Sequence, residues 1–417
     1  MYGVDRREFL QSSAALVAAG VAAQTAGAAA PSEQLHFALI GAGGQGLRIA
    51  DYLLQVPGAR MTAVCEINPV QVEAAQQRAP DATVYEDWHE MLAAQRDLQA
   101  VLIALPEHTH AEAAIAAMRA GKDVFCEKPM AYSLEQGRAM IAARDETGRV
   151  LAIGQQRRSN PLYYLAHRLV QEEGAIGEVM RADAFWDRWE DWKRPLPAVN
   201  KDFAPWGFPS LNHLINWRLF REYGHGLMTE NGTHQMDACG WLLGNKRPQV
   251  VCGMGAIRYR DERETHDIVS AEYLFEGDVI VRFTQDFHQG FNYGWSYGEL
   301  LVGNEGALRI TAQNELVLYD RQRRQHRVPI ARLGEIELGG ITLTPEQLTA
   351  VEADREAGGL AMFSYANEMQ IFAHAVRHRT PVTCTGEIGL DSIAATIVGT
   401  EAQFAREYRT FDSGMFA

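Results

Sequence analysis

A lysine set directly before a proline is where this chain first offers chemistry. Glu127-Lys128-Pro129 closes the run GKDVFCEKP, downstream of the glycine-rich turn Gly41-Ala42-Gly43-Gly44-Gln45-Gly46. A side-chain amine at the end of a strand-like run, beside a nucleotide turn, is placed for proton transfer. Further along, Glu230 and His234 are four residues apart and Asp237 follows three later. On a helix these spacings share one face. Histidine titrates near neutral pH, whereas lysine must be buried or face another cation before it can serve as a base there.

The elements that must position these groups read as alternating strands and helices. Leu35–Ile40 is a short β-like run leading into the glycine turn, and Leu47, Ile49, Ala50, Leu53 and Leu54 give the next segment a helical pattern. A G-x-G-x-x-G between strand and helix is a dinucleotide fingerprint. Gly41 permits the tight turn, Gly43 lets backbone N–H groups approach a pyrophosphate, and Gly46 lets the helix pack on the strand. Gly44 and Gln45 complete the turn, whose helix N-terminus faces the phosphates. A second strand, Arg60–Cys65, ends at Glu66. An acidic residue there can bond the ribose 2′-OH and repel a 2′-phosphate, favouring NAD over NADP. A solvated charge at a strand end is the alternative. Gln99–Leu105 is a buried strand ending at Pro106, and an Ala-rich helix runs from His110 to Ala120 with Gly121 as its stop. Ligands bind outside the carboxyl ends of such strands, which puts Pro106, His110, Glu127 and Lys128 around a nicotinamide. His108 reads better as a helix-start residue.

These residues, with LPEHTHAEAAIAAMRAGKDVFCEKPMA, GQQRRSNP and GHGLMTENGTHQMDACGWLLG, resemble the Gfo/Idh/MocA family of oxidoreductases, named for glucose–fructose oxidoreductase, inositol dehydrogenase and a rhizopine-catabolism protein. The resemblance covers nearly the whole chain after its first 30 residues. It implies an α/β fold: a Rossmann domain, then an α/β domain on a large open, mostly antiparallel sheet whose outer face makes oligomer contacts. It implies redox chemistry at a hydroxyl-bearing carbon of a sugar, inositol or polyol. Lys128 would position the hydroxyl and handle its proton, and an acid-x-x-x-His pair, here Glu230 and His234, would supply the rest. The family more often has Asp where this chain has Glu230, which leaves that residue's role open. His234 is then the favoured base, and Asp237 and Arg157 are candidate substrate contacts; a solvated Arg157, or a His234 satisfied as a helix-start residue, are the bland readings.

The expected domains are 1–30, an export signal; 31–153, the Rossmann domain; and 154–417, the substrate and oligomerisation domain. Arg6-Arg7 with Phe9-Leu10, a short apolar run and small-residue cleavage sites read as a twin-arginine signal. The Tat translocase would be a transient partner and the periplasm the destination. The run is too short to span a bilayer, which needs about 20 residues. A formal net charge of −14 disfavours nucleic acid and anionic lipid, so no stable membrane association is expected. The five scattered cysteines show no metal spacing and read as free, mostly buried thiols; no metal is expected. Small-molecule carbohydrate and a homo-oligomer, dimer or tetramer, are the expected partners. Trp186 to Trp217 holds five tryptophans and four prolines without clear periodicity. It reads equally as a sugar platform or a packed loop. His288, Tyr293 and Trp295 would border the cleft. Residues 321–360 read as a surface excursion, and the last two helices as the end of the second domain.

Export implies a cofactor loaded beforehand and held through turnover. Two chemistries close such a cycle: paired oxidation and reduction of two sugars, or a redox-neutral NAD-dependent glycosidase reaction by transient oxidation, elimination and re-reduction. A non-catalytic sugar-binding protein on a Rossmann scaffold is the reading from another class.

Overall fold

The computed structural model describes residues 34–189, 191–288, 297–338, 341–353 and 359–416. The expected export signal and the residues Tyr293 and Trp295 lie outside them.

Six parallel strands form the first sheet: β1 (Leu35–Ile40), β2 (Ala59–Cys65), β3 (Thr83–Tyr85), β4 (Ala100–Ile103), β5 (Asp123–Glu127) and β6 (Leu151–Gly154), in the order β3-β2-β1-β4-β5-β6. β4, β5 and β6 are buried along their whole length, as expected of parallel strands covered on both faces. Ile40 pairs with both Cys65 and Ile103, Ile103 with Cys126, and Cys126 with Ile153. This register brings the carboxyl ends to one edge. Gly41, Glu66, Lys128 and Gln155 all leave the sheet there, and the strand order reverses between β1 and β4, where doubly wound sheets bind ligands.

The second sheet holds β7 (Val179–Trp186), β8 (Pro248–Ala256), β9 (Ile268–Phe275), β10 (Val279–Asp286), β11 (Tyr297–Gly303), β12 (Ala307–Thr311), β13 (Glu315–Tyr319), β14 (Gln325–Arg327) and, at its far edge, β17 (Arg409–Thr410). β15 (Glu337–Leu338) and β16 (Ile341–Thr342) make a separate small ladder. Pairing in the large sheet is antiparallel except between β7 and β10. Its inner face buries Ala182, Ala184, Val269, Ala271, Tyr273, Phe275, Val281 and Phe283 against the helices Gly232–Leu242 and Gly386–Ala405. Alternation along β9 and β10 leaves the other face to solvent.

Two expectations need correction. Residues 321–360 are not a mere surface excursion, because Val328, Ile330, Leu333, Ile336, Leu338 and Leu343 are buried in the second-domain core. The last helices, Gly359–His378 and Gly386–Ala405, do not belong wholly to the second domain. Met369, Phe372 and Ala373 join the core around Phe37 and Phe125, and Leu390 and Ile393 join that around Ile153. They cover the first sheet and tie the two domains together.

Among the described residues no helix is long and apolar enough to cross a membrane, and no group of three or more His, Cys, Asp or Glu residues could hold a metal ion. The five cysteines are free, with Cys252 exposed and the others buried.

Candidate active site

The glycine turn is shaped by close contacts on one side and openness on the other. Gly41 has φ +88, and a Cβ there would meet the Ala104 carbonyl oxygen at 2.6 Å; at Gly46 it would meet the Gly41 oxygen at 2.0 Å. At Gly43 and Gly44 a Cβ would meet nothing within 4 Å. The helix Gly44–Leu53 begins with no side-chain cap, so its first N–H groups are available to an anion. Glu66 sits beside the turn, Oε2 accepting from the Ala42 N–H at 2.7 Å and Oε1 from the Asn68 N–H at 2.8 Å. Burial pushes this carboxyl up, against the pull of those N–H groups and Lys201. A pyrophosphate and a ribose diol fit this arrangement. Gln45 donates to Glu127 Oε1 at 2.8 Å, linking the turn to the lysine motif, while Pro106 follows the end of β4.

Lys128 meets the second domain directly. Its Nζ donates to the Glu230 backbone oxygen at 2.6 Å and lies 3.9 Å from Glu230 Oε2, which accepts from Arg218 Nε at 2.8 Å. Burial alone would raise the Glu230 carboxyl, but Arg218 and Lys128 outweigh it and hold it below its usual value. Glu230 is therefore an anchored carboxylate that fixes the lysine. His234 is buried on the helix that follows, with Nδ1 2.9 Å from Gln155 Oε1. The Gln155 amide donates to Thr233 Oγ1 at 2.9 Å, so its oxygen faces the imidazole. Nδ1 then carries the proton, and Nε2 presents a lone pair. Burial, then Lys128 and Arg157, push His234 well below its usual pKa. It is a neutral acceptor, not the histidine titrating near neutrality that its type alone suggests.

Three expected site residues serve the framework instead. Arg157 does not line an entrance: it is 1% exposed and ion-paired to Glu299, which is buried as well. Asp237 receives Arg158 Nε at 2.9 Å and the Ser392 hydroxyl at 3.2 Å, so its carboxylate is engaged by framework donors. His110 has ring nitrogens 2.8 Å from the carbonyl oxygens of Pro129 and Leu105. It ties the end of β4 to the lysine loop and offers no ring nitrogen to a cofactor. His108 packs its ring on Phe208 and Tyr223.

One family model, "Oxidoreductase family, NAD-binding Rossmann fold", matches residues 35–155, and "GFO/IDH/MocA C-terminal domain" matches 164–309. The chain belongs to the Gfo/Idh/MocA oxidoreductases. It is similar to inositol 2-dehydrogenase of Rubrobacter xylanophilus, at 28% identity over 67% of this chain and 72% of that protein. Levoglucosan dehydrogenase of Pseudarthrobacter phenanthrenivorans is 30% identical over 43% of this chain and 42% of its own. The WlbA dehydrogenase from Bordetella pertussis, solved with NADH and UDP-GlcNAcA, superposes with TM-score 0.70 at 20% identity, covering 91% of this chain and 98% of that one; this likeness speaks for the fold.

Within this Gfo/Idh/MocA oxidoreductase, several site residues were given no role from the sequence. Arg218 reaches Glu230 from 12 residues earlier in the chain, and Gln155 reaches His234 from the end of β6. Glu107 and His225 pair at 2.9 Å, although both lie inside motif blocks that mark the family. The tryptophan-rich segment has divided roles. Trp192 and Trp217 are core residues, whereas Trp186 packs 5.6 Å from the His234 ring and 4.6 Å from that of Tyr297. His288 bridges to Trp189 and approaches Asp267 at 3.3 Å.

Proposed function

We propose that this oxidoreductase acts on a hydroxyl-bearing carbon of a sugar, inositol or related polyol with NAD that stays bound between turnovers. One observation carries this reading: the Lys128 ammonium, fixed by Glu230, and the lone pair of a neutral His234 converge at the carboxyl edge of the Rossmann sheet. Bound NAD would supply hydride acceptance at its nicotinamide. The protein supplies the rest. Lys128 donates a hydrogen bond to the substrate oxygen, orienting it and stabilising negative charge as the O–H bond breaks. His234 Nε2 accepts the hydroxyl proton. Trp186 offers an aromatic face suited to the C–H surface of a ring. The substrate class is supported by the inositol and levoglucosan dehydrogenases among the relatives.

Retention of the cofactor is supported by the segment between β7 and Glu230. Lys201 donates to the Ile67 oxygen at 3.0 Å and to Glu86 at 2.6 Å, and Trp206 Nε1 donates to the Glu86 oxygen at 3.2 Å. Those first-domain residues lie past the ends of β2 and β3, which supports a second domain that would close over the adenosine end of a bound cofactor. Such closure suits an enzyme exported by the twin-arginine route, where the cofactor cannot be replaced, and homo-oligomerisation would leave it intact. Denaturing the purified mature protein should release one equivalent of NAD, read by ultraviolet absorbance and mass. Adding myo-inositol, levoglucosan or D-glucose to the holoprotein should raise the absorbance of reduced nicotinamide. An empty site together with no reduction by any of them overturns the reading.

Glu66 would favour NAD over NADP. Glu66→Ala should weaken NAD binding about tenfold or more, because a hydrogen bond to a charged group contributes roughly 1.5–3 kcal/mol. It should narrow the NAD/NADP affinity ratio in titration of the apo protein; an unchanged ratio removes the assignment.

A further inference from the structure

We propose that His225, oriented by Glu107, is a second acid–base residue of this site and carries the substrate proton between the cleft and solvent. The inference rests on the oxidative reading above. Oxidising a carbinol breaks its O–H and C–H bonds and forms a C=O bond. The hydride, with the electron pair of the C–H bond, would pass to bound NAD, and one proton must leave through the protein. His234 accepts that proton poorly for long, because burial and two nearby cations disfavour its charged form. Lys128 is held by Glu230 as the donor to the substrate oxygen. A separate group must take the proton onward.

Glu107 and His225 have the required construction. Glu107 follows β4 at the sheet edge and is fully buried. Its Oε1 lies 2.9 Å from His225 Nδ1, and its Oε2 accepts the His225 backbone N–H at 3.2 Å. A carboxylate accepts only, so Nδ1 donates to it and Nε2 is left with its lone pair. Among the described residues nothing hydrogen-bonds Nε2, and the side chain is 16% exposed. A buried carboxylate behind an imidazole stabilises the imidazolium when the ring is protonated.

The pair is built into the Lys128 neighbourhood. The His225 ring lies 4.3 Å from that of Tyr132, tilted by 36°, in the loop that begins at Lys128-Pro129. Gly226, the next residue, accepts the Glu230 N–H at 2.9 Å. Burial pushes the Glu107 carboxyl up and His225 pulls it down, while the Glu230 charge adds a smaller upward push. Among the described residues, the charged and titratable groups that bear on this pair include Glu107 from the end of β4, Tyr132 with Arg221 and Glu222 beside it, and Glu230 beyond Glu107.

A clip that merely holds the fold would use the same hydrogen bonds, so the test must separate the two. Nitrogen-15 NMR of imidazoles in the NAD-loaded protein should show His225 protonated at Nδ1 with Nε2 titrating, while His234 does not titrate near neutral pH. In single-turnover reduction by myo-inositol, His225→Ala should be slower by about 10²–10³, in the range for loss of an acid–base group. Its NAD content should be unchanged, added imidazole should restore rate, and the pH profile should lose a limb. His225→Gln, which keeps a donor to Glu107, should be as slow and no less stable. A His225 protonated at Nε2 and silent to pH, or an alanine variant that is within twofold of wild type or unmoved by imidazole, overturns the proposal. Wild-type protein that reduces no NAD with myo-inositol, levoglucosan or D-glucose counts against the substrate class, and the NMR still decides His225.

Discussion

Lys128→Met should lower the rate of NAD reduction by about 10²–10⁴, the range for losing a proton-handling or charge-stabilising group, while the protein remains folded and NAD-loaded. Methionine keeps the length and apolar stem of lysine. Its loss of charge does not orphan Glu230, because Arg218 still donates to the same carboxylate oxygen at 2.8 Å. The lost interactions are the donor to substrate oxygen and the cation beside His234. The second loss has a sign. The Lys128 charge depresses the pKa of His234, so removing it raises that pKa, and the acid limb of the residual activity should move to higher pH. A pH–rate profile of wild type and variant measures this. Turnover like wild type in a folded, cofactor-loaded variant would end the catalytic assignment of Lys128.

What could be read from the chain alone follows from how local each feature is. The first domain was legible because its signals are consecutive: a buried strand, glycines at fixed offsets, a helix, and an acid at the next strand end. Gly41, Gly46, Glu66 and Lys128 all sit where their neighbours in sequence place them. The site's other half depends on partners brought from far along the chain. Arg157 looked like an entrance residue because nothing nearby announces Glu299, which is 142 residues away. Asp237 looked like a substrate ligand because it shares a helix face with His234, but Arg158 and Ser392 approach from other elements. His110 lies at the expected sheet edge, yet two backbone carbonyls already occupy its ring. Residue type also misled at His234, whose burial beside two cations moves it away from ordinary histidine behaviour. β7 went unnoticed for a related reason: it ends inside the tryptophan-rich stretch, and its place beside β10 is a long-range pairing.

Glu299→Leu should cost the fold more stability than the loss of Glu66, Lys128 or His225. Glu299 receives both the Arg157 guanidinium and the Tyr163 hydroxyl, the latter at 2.8 Å. Arg157 in turn lies 3.4 Å from the His234 backbone oxygen and 3.4 Å from the Tyr297 hydroxyl, with the rings of Tyr163, Trp186 and Tyr297 within 5.6 Å of its guanidinium. The ion pair therefore pins the turn after β6, β11 and the His234 helix to one another. Leucine at 299 leaves a guanidinium that cannot deprotonate buried without its counter-charge. Breaking such a pair from one side costs about 3–5 kcal/mol, and the thermal midpoint of the apo protein should fall accordingly. Arg157→Met combined with Glu299→Leu removes both charges and should recover much of that loss, since an apolar replacement of a buried pair is often close to neutral. A double variant no more stable than Glu299→Leu alone would show that the stranded charge is not the cause. The recovered variant carries a second readout. Without Arg157, one of the cations depressing His234 is gone, so its acid limb should rise even though the fold is restored. Stability and proton affinity are then separated in one protein, which tests whether the buried pair tunes the base as well as holding the helix that carries it.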